Sequence, residues 1–295
     1  MEIKSSQKDS LFAAFGKAAS FQKLSRFEKI RRKPISTLFK YALEAIGRFF
    51  NFRFPVIAKT FFGDRMKVIL PETVSAAIYR YGVHEADLTE YLLKTIGGGD
   101  TFIDGGAHYG YFSLLAARLG AEVHSFEPSP SVFKVLEQNA RGSNARNIKL
   151  NNVALWNTKG NIDFLNLDSA SSGGNTAKPR EGMIGKMVTV PATSLDSYVK
   201  ENKISPTFVK LDLEGAELEA LRGMDYILSN IKPALTVEVF SSGYGEKPVS
   251  DSRKVLDLLQ SHGYHPFIYN RGLQPFIYRP SDYFTFSCVI LIAKK

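Results

Sequence analysis

The chain has 295 residues, 44% hydrophobic and 23% charged, with a formal net charge of +9, enough for one α/β domain and an extension. Its only cysteine, Cys288, excludes an intrachain disulfide, so the setting is reducing or at least indifferent, and the expected location is cytoplasmic, with peripheral membrane contact as an option. No run of about 18 apolar residues is present to span a bilayer, and nothing near Met1 resembles the apolar core of a secretory signal.

Charge is uneven. Residues 1–55 hold twelve Lys or Arg against four Asp or Glu, so eight of the nine net charges lie there. The nearly neutral remainder lacks the basic face that RNA binding needs, so no nucleic-acid partner is expected. Residues 1–33 are polar and basic, with Phe12, Phe15, Phe21 and Phe27 scattered among them. Beyond Arg31-Arg32-Lys33-Pro34, the residues Ile35, Leu38, Phe39, Ala42, Ile46, Phe49 and Phe50 share one helical face, and Lys40, Glu44 and Arg48 share the other. Two readings compete: peripheral contact with an anionic membrane through residues 1–50, or a helix packed on the domain behind a disordered basic tail. The acid-poor composition also fits a mitochondrial presequence. The expected division is an extension, 1–55, and one domain, 56–295.

Lys67–Leu70 reads as a strand, and Glu85–Ile96 as a helix stopped by Gly97-Gly98-Gly99. From Asp100 the pattern alternates: strand 101–104, helix 110–119, strand 121–126, helix 130–140, strand 147–152. This order predicts a parallel sheet with right-handed crossovers. Asn161–Leu165 reads as a short strand, and the Ser/Gly-rich stretch 168–175 as a linker or a lid. After a helical turn at Leu195–Val199 come strand Thr207–Leu213, helix Ala216–Leu228, strand Leu235–Phe240, helix Asp251–His262 and strands Tyr264–Tyr269 and Phe284–Ala293. The last two strands have no helix between them, which predicts an antiparallel edge pair.

The organising stretch is Thr101–Gly110. Its apolar run ends in Asp104, and Gly105, Gly106 and Gly110 follow within six residues. A glycine turn lets the backbone approach a ligand, and the next helix aims free N–H groups at it. Glu127 closes the next strand about 20 residues on, where such folds place an acid on a ribose. A dinucleotide favours G-x-G-x-x-G, but here Ala107 breaks the spacing. Asp104 before the turn repels a pyrophosphate and suits the cationic head group of S-adenosylmethionine. Ligands in open α/β sheets lie beyond the carboxyl ends of the strands. Asp104, Glu127, Asn151, Asn152, Asp212, Glu214 and Glu238 are therefore candidates. Phe208, Lys210 and Asp212 share one strand face, where a buried lysine needs a carboxylate partner. His108 lies in the turn. His84, His124, His262 and His265 have no metal-like spacing, which excludes a structural zinc site; no metal ligand is assigned, and metal assistance by carboxylates stays open.

Phe-Ile-Asp-Gly-Gly-Ala-His-Tyr-Gly, Ser-Phe-Glu-Pro-Ser, Thr-Ser-Leu-Asp-Ser-Tyr and Val-Lys-Leu-Asp-Leu-Glu-Gly-Ala-Glu occur in this order. From about Tyr81 to Phe240 the chain resembles FkbM-type methyltransferases. The resemblance implies a class I, Rossmann-like doubly wound sheet using S-adenosylmethionine, usually for O-methylation. It implies cofactor contacts from Asp104, Gly106, Ala107, Gly110 and Glu127, with Gly105, His108 and Asn152 beside them. His108 stands where the family usually has Asn, and Gly105 where an aliphatic residue is usual. The block after the fourth strand supplies Lys210, Asp212 and Glu214, expected to align the acceptor and take its proton. The expected acceptor is a small molecule or glycan: a hydroxyl of a sugar, glycolipid or secondary metabolite. The alternatives are an NAD-type dinucleotide-dependent oxidoreductase and a non-catalytic membrane-associated binding protein.

Overall fold

The computed structural model describes residues 5–143, 145–167, 175–179, 183–239, 250–277 and 287–293. The N-terminal segment is helical: α1 (Ser5–Lys23), α2 (Arg26–Arg32) and α3 (Pro34–Phe49). Ser25 starts α2 with a capping box, its side chain accepting from Glu28 N while Glu28 reaches back to the Ser25 backbone. The expected disordered tail over residues 1–33 is therefore corrected across the described part. Leu11, Phe15 and Ala19 recur every four residues of α1, and this stripe is buried in the same core as the helices of the main sheet. Phe15 meets Phe61 edge-on at 5.5 Å. The core thus runs across the expected boundary at residue 55.

A hairpin, β1 (Phe54–Lys59) and β2 (Arg65–Leu70), and two helices, α4 (Thr73–Tyr81) and α5 (Ala86–Thr95), lead to the main sheet. Of these, β1 and α4 were not anticipated. Glu72 caps α4 by accepting from Val74 N and Ser75 N.

The alternating units follow as β3 (Thr101–Gly105), α6 (Tyr111–Arg118), β4 (Glu122–Phe126), α7 (Pro130–Gly142) and β5 (Ile148–Asn151). A small insertion comes next: β6 (Ala154–Leu155), β7 (Gly160–Asn166) and β8 (Lys186–Thr193) form a separate three-stranded sheet in the order β6–β8–β7. Asn161–Leu165 was expected as strand; its partner β8 was not, although Val188, Val190 and Ala192 alternate. Of the expected lid, 168–174 lie outside the described residues, while the Asn175 side chain accepts from Leu167 N.

Next come α8 (Leu195–Asn202), β9 (Phe208–Leu211), α9 (Glu217–Arg222), β10 (Ala234–Val239), α10 (Ser250–Ser261), β11 (Tyr264–Tyr269), β12 (Leu273–Pro275) and β13 (Ser287–Ala293). The main sheet runs β12–β11–β13–β10–β9–β3–β4–β5. Its parallel core reverses direction of growth between β3 and β9, and β13 pairs antiparallel with both β10 and β11. This is the doubly wound, mostly parallel sheet with an antiparallel edge that the pattern predicts. Neighbouring residues feed opposite faces: Phe102 and Phe208 enter one apolar cluster, Ile103 and Val209 the other.

The expected helix Ala216–Leu228 is corrected. It breaks after Arg222 and resumes as a π-helical turn, Ile227–Ile231. A Cβ on Gly223 would sit 2.3 Å from the Trp156 carbonyl oxygen, so the chain passes the insertion there without a side chain.

Because Phe15 is buried with the main core, Phe15→Ala is expected to cost about 3 kcal/mol of unfolding free energy. Urea unfolding checks this, and a loss under about 0.5 kcal/mol would place α1 outside the cooperative unit.

Candidate active site

Strand β3 delivers the chain into a turn that only glycine fits. Gly106 has φ 74°, and a Cβ there would lie 1.8 Å from the Asp212 carbonyl oxygen. The turn is held from both sides. The amides of Gly106 and Ala107 donate to Phe126 O at 3.0 and 2.9 Å, and Asp212 N donates to Gly105 O at 3.1 Å. Gly110, also at positive φ, opens α6 and passes Leu136 too closely for a Cβ. A Cβ on Gly105 would crowd Leu155, Lys210 O and Leu211, so the departure from an aliphatic residue is matched by tight surroundings.

Behind the turn lies a charged cluster. Lys210, on β9 beside β3, sits 3.1 Å from Asp212 and 3.5 Å from Asp104. Asp104 is fully buried and also accepts from Ser113 Oγ at 2.6 Å. Burial opposes the Lys210 charge, but Asp212 and Asp104 outweigh it and drive its pKa upward. The two carboxylates thus favour the charged form of Lys210, which leaves Asp212 and Glu214 as the better placed of the three expected proton acceptors. Asp104 likewise meets Lys210 and Ser113 inside the fold; it shapes the turn from behind.

Glu127, at the end of β4, is buried and accepts from His108 N at 3.0 Å and Ser129 N at 2.9 Å. Burial raises its pKa to about 7, against the lowering effect of those two amides. Asn152 donates to the carbonyls of Glu127 and Pro128 at 2.8 and 3.1 Å, so its amide braces the Glu127 backbone. His108 has φ 49° and its ring lies on Tyr109; burial lowers its pKa, and Nε2 is a buried atom without a partner.

The third wall follows β9. Glu217 accepts from Leu213 N and Gly215 N at 2.8 and 3.3 Å and closes the loop that carries Asp212 and Glu214. Burial raises the Glu217 pKa to about 7. Glu214 has φ 53°, and its carbonyl accepts from Thr176 Oγ1, which ties the loop to the insertion. Glu238, at the end of β10, joins them: carboxylate oxygens of Asp212, Glu214 and Glu238 lie within 4.8 Å of one another. Glu238 Oε2 is buried without a hydrogen-bond partner. Burial first, then Asp212 and Glu214, push its pKa well above the carboxylate range. Those three acids are the group that could hold a cation among the described residues.

Two contributors were assigned no part in the chemistry. Glu238 was expected as a strand-end candidate and as a possible partner of Lys210; the structure pairs Lys210 with Asp104 and Asp212 instead, and only the fold shows the desolvation of Glu238. His84 was read as ordinary, yet the α4–α5 loop brings it close enough to feel Asp212. Burial lowers its pKa, but Glu85, 3.1 Å away, outweighs this and raises it. Its neighbour Glu85 is a third non-glycine residue at positive φ, 39°, beside the site. His124 is structural, bonded to Tyr198 and Glu122.

Residues 104–266, more than half of the chain, match the family model described as the methyltransferase FkbM domain. The hexuronic acid methyltransferase AglP of Haloferax volcanii is 29% identical over 148 residues, covering 50% of this chain and 59% of that protein. The chain therefore matches less than two thirds of that relative. Two solved structures are loosely similar. A methyltransferase FkbM from Methylobacillus flagellatus KT shows 15% identity over 76% of this chain and 56% of its own, with a TM-score of 0.43. A precorrin-6y C5,15-methyltransferase from Geobacter metallireducens GS-15 shows 12% identity over 72% and 90%, with a TM-score of 0.42.

Glu127 supplies a pH test. Folding raises its pKa from 4.5 to about 7, so the folded chain holds the proton more tightly across that window. Its stabilising contribution is full below about pH 4.5 and is lost as pH rises through about 7. In Glu127→Gln, stability should fall less steeply between pH 5 and 8, by up to about 1.4 kcal/mol per pH unit. Guanidinium unfolding across that range measures it, and equal slopes would refute the assignment.

Proposed function

We propose that this chain, which belongs to the methyltransferase FkbM domain family, O-methylates a sugar hydroxyl with S-adenosylmethionine. One observation carries the reading: the crevice is anionic. Asp212, Glu214 and Glu238 converge there, while Lys210 is already engaged by Asp104 and Asp212. Such a site favours a cationic ligand and repels a pyrophosphate. That also weighs against the dinucleotide alternative.

The residues fit the cofactor. The Cβ that Gly106 lacks would meet the Asp212 backbone and that of Gly110 a Leu136 methyl, so these glycines set the shape of the turn, while His108 Nε2 and Glu238 Oε2 are buried polar atoms without partners. Gly105, Gly106, Ala107 and Gly110 would form the wall against it, with Glu127 toward the ribose and Asp212 toward its charged end. When bound, S-adenosylmethionine supplies a methyl group already activated on a sulfonium sulfur.

The chain's part is then alignment and proton removal. Lys210 holds Asp212 in place. Glu238, on the same wall, accepts in its carboxylate form the proton that the acceptor hydroxyl gives up. Glu214 helps orient the hydroxyl on the same wall. A sugar acceptor is supported by the hexuronic acid methyltransferase among the relatives.

Calorimetry should show S-adenosylmethionine binding at micromolar concentration and none for NAD; the reverse would overturn the reading. Glu238→Gln should lower methyl transfer by about 10²–10⁴-fold, with a much smaller loss of cofactor affinity from the one carboxylate removed. Mass spectrometry of hexuronic acids and neutral hexoses incubated with labelled cofactor reads both the turnover and the acceptor.

A further inference from the structure

The helix α3 sits the wrong way round for a soluble fold. Its polar side faces the protein. Thr37, Glu44 and Gly47 are buried, and Lys40 Nζ donates to Tyr79 O at 2.6 Å. Glu44 pairs with Arg48 at 3.0 Å and Arg80 at 3.4 Å, and the Arg80 guanidinium lies over the Tyr41 and Tyr81 rings. Gly47 allows close packing, since a Cβ there would come within 3.1 Å of Phe52 O and Phe54. The inward face is thus satisfied by specific polar partners and cannot roll over without breaking them.

The apolar side faces outward. Ile35 is 85% exposed, Phe39 59%, Phe49 84% and Phe50 70%, with Leu38 and Ile46 on the same stripe. A continuous row of large apolar side chains is not the ordinary scatter of a protein surface; it marks a contact face.

We infer that this face docks on the surface of an anionic phospholipid bilayer, with α3 lying in the plane of the interface. Charge complementarity selects the occupant. Residues 1–55 hold eight of the nine net positive charges. Arg31, Arg32 and Lys33 lead into α3, and Arg48 lies in its last turn. A cleft of about 910 Å³ between α1 and α3 is lined by Lys17, Arg32, Lys33, Lys40 and Arg80, with no carboxylate in its wall. That cleft lies on the inward side of α3, away from the apolar stripe, and contributes to the positive field around the helix rather than to the contact itself. A second copy of this chain would bring the same cations together, which disfavours self-association. Sixteen residues of helix reach about 24 Å, too short to span the roughly 30 Å hydrocarbon core but suited to lying along it. The inference rests on the N-terminal helices and stands independently of the reaction proposed above.

The test is flotation of the full chain with vesicles. Binding to phosphatidylcholine containing 30% phosphatidylglycerol, about a third of the lipid, should exceed binding to pure phosphatidylcholine at least tenfold. It should fall several-fold in 1 M salt, where the Debye length is about 3 Å. The triple variant Phe39→Ser, Phe49→Ser, Phe50→Ser should lose at least tenfold of the binding with an unchanged thermal midpoint, because these side chains project from the fold. Charge reversal by Arg31→Glu, Arg32→Glu and Lys33→Glu should lose as much by a separate route. Equal flotation of the parent and both variants overturns the proposal. So does a lipid-free dimer, seen by light scattering, that the phenylalanine variant dissolves.

Discussion

Everything around the crevice depends on one buried cation. Lys210 lies between Asp104 of β3 and Asp212 just past β9, and it holds together the two strands at which the sheet changes its direction of growth. An ammonium in that position is costly unless paired, and unpairing it would strand two carboxylates. The backbone ladder, which ends in Asp212 N donating to Gly105 O, spaces β3 and β9 at their carboxyl ends, and the ion pair locks the side chains across it. That spacing sets how closely the Gly106 turn approaches the Asp212 carbonyl, a distance that excludes any Cβ. The glycine is thus a consequence of that backbone geometry as much as of a ligand.

Strain gathers at the same place. Glu85, His108 and Glu214 all adopt positive φ, a conformation that costs a side-chain-bearing residue of order 1 kcal/mol or more. Each is over-determined by neighbours. His108 N is held by Glu127, and the Glu214 carbonyl by Thr176; Glu85 is paired with His84. The three come from loops that follow α4, β3 and β9. Rigid elements set those loops, and the β3 loop leaves His108 Nε2 buried without a partner. Burial does the rest: Glu127 and Glu217 both rise to about 7, and burial, then Asp212 and Glu214, raise Glu238 well above its ordinary value.

The sequence made the alternating half of this fold readable because strand and helix periods differ and glycine punctuates them. The turn at Asp104–Gly110 and the acid at Glu127 lie where the local pattern puts them. Less local facts were invisible. Nothing near Gly223 says that Trp156 O will lie against it, so the break after Arg222 could not be foreseen. Glu238 looked like any strand-end acid, since desolvation depends on what packs around it. Lys210 was correctly suspected of needing a partner, but periodicity could not say that two acids would hold its proton. In α3 the amphipathic pattern was plain, while its sign was not: a stripe of Phe and Ile ordinarily faces the core, and here Glu44 does.

That inversion gives the net charge of the chain its meaning. A single figure of +9 suggests a uniformly basic protein. The fold separates the charge instead, with cations around α1–α3 and carboxylates at the carboxyl ends of β9 and β10. Fields of opposite sign on two regions act on different ligands, since each is screened within about 8–10 Å at ordinary ionic strength. A cationic ligand and an anionic one would therefore meet different regions of the chain. The helix α4 stands between them: Arg80 pairs with Glu44 of α3, and the loop after α4 carries His84 and Glu85 to the crevice. A single element therefore anchors the basic surface and lines the acidic site, which couples the two mechanically while their fields stay apart.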